Sequence, residues 1–197
     1  MDRLRGNRRR DDEGAVAVEA ALLIPVIILM LFGIIEFAMV MRDYVALTSA
    51  ARTGARTASA EPRTASFTQD AANSVARAST SMPGSTVQEL WVYEVPTGND
   101  GKPPATCSTR CVRYTANITA GKFTGFTQAG GSWDSSTVNA CAGDPGVTSV
   151  GVAIKAQHNF FTKLFGAGMT MNERTVMRFE PMPMVSGVAA GFCKPVV

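Results

Sequence analysis

The chain has 197 residues, 46% of them hydrophobic, with 19 Lys and Arg against 16 Asp and Glu and a formal net charge of +3. That length holds one ordinary domain plus an appendage and excludes two large domains. Beyond residue 41 there are 14 basic and 10 acidic residues, with no basic run and no aromatic-basic interleaving, so the charge gives no nucleic-acid footprint.

Residues 1–14 form a hydrophilic leader containing Arg3, Arg5, Arg8, Arg9 and Arg10. Residues 15–41 follow, 27 positions in which only Glu19 and Glu36 are charged. As a helix this segment is about 40 Å long, enough to cross a hydrocarbon core of about 30 Å. A secretory signal has an apolar core of only about 7–15 residues, so the spacing predicts a retained transmembrane helix. Five arginines before the span against Arg42, Arg52 and Arg56 just after it predict a cytoplasmic N-terminus and an extracytoplasmic bulk on a cell membrane. Pro25 is tolerated in lipid as a kink, its freed carbonyl satisfied locally or by a neighbouring helix. Glu36, seventeen residues after Glu19 and so about 25 Å along the helix, is expected at the outer interface if Glu19 is near the inner one.

Glu19 raises a chemical question. A carboxylate in hydrocarbon costs several kcal/mol unless it finds a partner or reaches the headgroups. A cut between Gly14 and Ala15 would supply one, a new positive amino terminus four residues away, in the same subunit or a neighbour. Gly14, Ala15 and Glu19 resemble the type IV prepilin signature, which implies processing on the cytoplasmic side.

Residues 42–61 contain no proline and are expected to continue the helix outside the membrane. Ala46, Ala50, Gly54 and Ala58 recur every four positions. Such a stripe lets another helix or a sheet approach closely, or it reflects only the helix propensity of alanine. Arg52 and Arg56 share a neighbouring stripe and form a solvated face or, less readily, assembly contacts. Residues 62–197 are expected to form an α+β domain with an antiparallel sheet. Its elements are a short helix over 67–80 and strands over 86–96, 111–119, 148–158 and 169–181. Residues 97–110 and 120–147, rich in Gly, Pro, Asn, Ser and Thr, are expected as long loops.

All four cysteines, Cys107, Cys111, Cys141 and Cys193, fall after the span. An even number in an oxidising compartment predicts two disulfides, with three pairings open. The close pair CSTRC has metal-ligand spacing, but no second close pair exists, which disfavours zinc. His158 is the only histidine and stands in an expected strand without spaced ligands, so it reads as a satisfied structural histidine rather than a catalytic base. No GxSxG, P-loop or GxGxxG occurs, and neither an enzymatic activity nor a cofactor is expected.

Residues 14–60 resemble the TadE-like family of pilus assembly proteins. The resemblance rests on Gly14, Val18, Glu19, Pro25, Gly33, Glu36 and the cluster Arg52, Gly54, Ala55, Arg56. The sequence departs from the family pattern at Ala20, where an aromatic is common, and in the acidic Asp11, Asp12 and Glu13 beside the cut. The resemblance implies a pilin-like, non-enzymatic minor pilin or pseudopilin of a Tad (Flp-type) pilus or secretion system. Its helix would pack through Pro25, Gly33, Glu36, Ala50, Gly54 and Ala58. Its implied partners are membrane lipid, a prepilin peptidase and other pilin and Tad assembly subunits. The competing expectation is a single-pass anchored extracellular binding module outside any pilus.

Overall fold

The computed structural model describes residues 5–80, 82, 85–95, 98–142 and 146–182. The chain divides into two units, one ending at Val40 and one starting at Met41. In the first, helix α1 (Arg5–Ala60) passes through Pro25 without ending there. From Gly14 to Phe32 every side chain is exposed, including Leu22 at 70% and Met30 at 61%. A helix apolar on all sides and covered by nothing of its own unit is suited to lipid or to other helices. From Gly14 onward α1 is long and apolar enough to cross a membrane.

The second unit contains the end of α1, helix α2 (Phe67–Ser79) and strands β1 (Ser85–Glu94), β2 (Cys111–Thr119), β3 (Lys122–Ser132), β4 (Ser149–Asn159) and β5 (Gly168–Arg178). The sheet is antiparallel throughout, in the order β3-β2-β1-β4-β5. This is the α+β arrangement that the element order led us to expect. α1 ends where Pro62 cannot continue it. α2 carries Asp70 in its first turn and Arg77 in its last, each at the end of the helix dipole that suits its charge.

The core lies between the two helices and one face of the sheet. Leu47, Ala50, Ala51, Ala55 and Ala58 of α1 and Phe67, Ala71, Ala72 and Val75 of α2 are fully buried. They meet Leu90 and Val92 of β1, Val112 and Tyr114 of β2, and Val150, Val152, Ile154 and Ala156 of β4. Burying each Leu, Ile, Val or Phe side chain contributes about 1.5–3 kcal/mol. Tyr114 carries its hydroxyl into this layer and donates it to Thr68 Oγ1 at 3.0 Å, as a buried phenol requires. Phe67, Trp133 and Phe179 close one end in edge-to-face contacts 5.0–6.0 Å apart.

One expectation is corrected. Residues 120–147 are not a single loop: β3 occupies Lys122–Ser132 and pairs with β2 from Thr119↔Lys122 to Cys111↔Ser132. The two strands join through Ala120 and Gly121 at φ 50° and 75°, the paired positive φ of a type I′ hairpin turn. β3 is an edge strand with most of its side chains in solvent and two register shifts against β2. Little burial and bulges tolerate a Gly- and Thr-rich composition that otherwise marks a loop.

Candidate functional site

Gly14, Ala15, Glu19 and Pro25 lie exposed on α1, and Gly33 is half-buried; Glu36 lies on the same helix. Gly14 has open space where a side chain would stand. Glu19 and the new terminus that a cut after Gly14 would create are therefore presented on an otherwise apolar surface.

In the second unit the small-residue stripe is packed inside the chain. Ala50, Gly54 and Ala58 are buried, while Arg52 and Arg56 face solvent. A Cβ on Gly54 would overlap Val75 Cγ2 of α2 and lie 3.4 Å from Val152 Cγ1 of β4. The stripe is thus the surface on which α1 receives both α2 and the sheet.

Asp43 and His158 form a buried polar contact in this packing. Asp43 Oδ2 lies 2.8 Å from His158 Nδ1, with both side chains at most 3% exposed. A buried carboxylate is retained only with hydrogen-bonding partners, and His158 supplies one across 115 positions of sequence. Tyr44, the next residue on α1, shares a hydrogen bond with Glu173 of β5, and this bond pushes its phenol pKa upward. The histidine expected to be a satisfied structural residue has its Nδ1 paired with Asp43. Its partner was not visible, because nothing local links Asp43 to residue 158; the only available signal is an acid placed two residues after the apolar run.

The disulfide framework is read in part. Cys107 and Cys111 are bonded, and Cys141 is also in a disulfide; Cys193 lies outside the described residues. The CSTRC pair is therefore a covalent clip at the start of β2 and not half of a zinc site. Among the described residues no group of three or more His, Cys, Asp or Glu side chains converges to hold a metal.

The opposite sheet face carries a cleft that the sequence did not disclose. Arg113, Trp91, Ala153 and Arg174 stand in register across β2, β1, β4 and β5. Trp91, Ala153, Lys155 and Arg174, with Pro103 and Pro104 alongside, line a cavity of about 580 Å³. Glu89, also in its wall, pairs with Arg113 at 3.6 Å. Small Ala153 beside Trp91 leaves the space, and only the strand register brings these positions together.

Residues 14–56 match the family model described as TadE-like protein. No curated protein matches the chain. No solved structure matches it. Those residues of α1 are thus similar to the TadE-like family. A helix of spanning length fits a membrane-anchored protein.

Proposed function

We propose that the protein is a minor pilin or pseudopilin-like subunit of a Tad (Flp-type) pilus or secretion machine. The observation that carries this reading is the TadE-like match over 14–56, laid on a helix whose exposed apolar residues begin immediately after Gly14. A prepilin peptidase cuts after Gly14, and the amino group of Ala15 becomes the ionic partner of Glu19 in the same or an adjacent subunit. The leader stays cytoplasmic and the second unit extracytoplasmic, in keeping with the arginine bias. The helix anchors the subunit and packs with other subunits, and the α+β unit assists assembly outside the membrane.

The test is the N-terminal residue of the membrane-extracted protein in cells with and without the prepilin peptidase. A peptidase-dependent start at Ala15 is the expected result; a start at Met1 in both removes the processing step. Deletion that leaves pili and secretion unchanged removes the assembly role.

The cleft around Trp91 supports a second reading, an anchored binding module outside any pilus. Aromatic and polar groups converging on a cavity are the usual form of a ligand site. Failure to co-purify with pilus components, together with an unchanged pilus phenotype on deletion, favours this alternative.

A further inference from the structure

Strands β4 and β5 are joined by residues 160–167, FFTKLFGA, whose apolar side chains turn outward. Phe161 is 79% exposed, Leu164 56% and Phe165 53%. The loop is nevertheless well formed. Phe160 N–H donates to Ala167 O at 3.2 Å and Gly166 N–H to Lys163 O at 3.2 Å. The Phe160 ring packs edge-on against His158 at 5.6 Å. At its base a Cβ on Gly168 would overlap the carbonyl oxygen of His158, so the hairpin closes tightly there. Three large apolar groups held in water by an ordered loop mark an interaction surface.

The packing of the second unit fixes where that loop points. His158 is bound to Asp43, whereas Val152 stands beside Gly54. Eleven residues of α1, about 16 Å of helix, are thus matched by six residues of β4, about 20 Å of strand, running the opposite way. At the far end Glu180 N–H donates to Ser59 O at 2.9 Å. Beyond His158, β4 therefore carries the loop past Asp43, toward the side from which α1 enters the unit. Asp43 is two residues after Met41, the last residue of the apolar run.

We propose that residues 160–167 are a second membrane contact, in which Phe161, Leu164 and Phe165 enter the interfacial layer of the outer leaflet. This rests on the reading of residues 15–41 as a membrane span. The tip begins two residues after a strand position bonded to the helix where the chain leaves the lipid, so the bilayer surface is the partner within reach. Its composition suits that layer: aromatic rings and leucine for the acyl boundary. Lys163, the one charged residue of the eight, extends its ammonium to anionic headgroups while its stem stays in the apolar zone. A span alone leaves the outer unit free to rotate and tilt; a second contact holds its sheet at a set height above the membrane.

The test uses the full-length protein in vesicles of phosphatidylethanolamine and phosphatidylglycerol. An environment-sensitive fluorescent amino acid replaces Phe161, Leu29 or Asp100 in turn, and lipids carrying a quencher at a shallow or a deep acyl position report depth. The expected result is deep quenching at 29, shallow quenching at 161 and none at 100. Leu164→Ser with Phe165→Ser should reduce quenching at 161 at least threefold, and Lys163→Glu should reduce it in anionic but not in zwitterionic vesicles. Quenching at 29 with none at 161 overturns the proposal and leaves the span standing. A signal at 161 that grows with protein density and ignores the lipid quencher also overturns it and assigns the tip to a second copy. No quenching at 29 overturns the span itself.

Discussion

Gly54 of α1 meets Val75 of α2 so closely that a Cβ on the glycine would overlap Val75 Cγ2, with Val152 of β4 only 3.4 Å away. Three elements of the second unit's core, α1, α2 and β4, come together at this glycine. Gly54→Ala should gain about 1 kcal/mol of helix propensity and lose about 1–3 kcal/mol to overpacking, since a valine methyl cannot swing aside freely. We expect a net loss of stability, measured by denaturant unfolding of the full chain in detergent, and partial recovery in Gly54→Ala with Val75→Ala. A Gly54→Ala protein more stable than the parent would show that the helices separate at little cost.

The same glycine shows what the sequence could and could not disclose. The fourfold spacing of Ala46, Ala50, Gly54 and Ala58 marked a surface for close approach, but spacing carries no address. It could not distinguish a neighbouring subunit from α2 and β4, the elements that occupy it here. Long periodic segments were legible for a related reason: α2 and the four regular strands each repeat one pattern over many residues. β3 was not, because an exposed edge strand lacks an apolar face to reveal its period. The cleft and the Asp43–His158 pair arise from register and tertiary packing, which no local pattern encodes.

Asp43 and His158 join α1 to β4 near the start of the second unit in sequence. Removing one member of a buried, hydrogen-bonded pair of this kind costs about 3–5 kcal/mol, much of it from leaving the other in a dry site. Asp43→Ala and His158→Ala should each lower stability on this scale, and the double substitution should cost clearly less than their sum. Amide hydrogen exchange should accelerate first at the β4–β5 end beside residue 158. Additive losses would show that the two side chains act separately.

Tyr93 ties the other sheet face together. Its ring lies where a side chain on Gly151 would overlap it, and its hydroxyl donates to Gly101 O at 2.6 Å. Burial pushes its pKa from 10.0 up to about 12, with Arg174 pulling weakly the other way. The folded state therefore holds this proton more firmly than the unfolded chain. The resulting stability is fully present below pH 10 and is lost as the pH rises from 10 through about 12. Tyr93→Phe should cost about 1 kcal/mol at neutral pH through the lost hydrogen bond and should flatten this alkaline decline. An unchanged alkaline slope in Tyr93→Phe would place the titration elsewhere.

Glu61 follows the last residue of α1, and its carboxyl pKa is raised above 4.5, first by partial burial and then by the charge of Asp70 and a hydrogen bond to it. Folding thus favours the protonated acid, so this group gains stability as the pH falls through its folded pKa toward its unfolded value; at neutral pH its charge works against the fold. Glu61→Gln keeps the shape, removes the charge and leaves Asp70 in place at the N-terminus of α2, where the helix dipole favours it. The substitution should raise stability at pH 7 by about 0.5 kcal/mol, the scale of surface charge pairs. The gain should disappear near pH 4, where the parent side chain is itself largely neutral. Unfolding curves of both proteins at pH 7 and in acid decide the point. An advantage that persisted undiminished in acid would mean that the glutamine acts through packing, and that the carboxylate at position 61 is not the source of the strain.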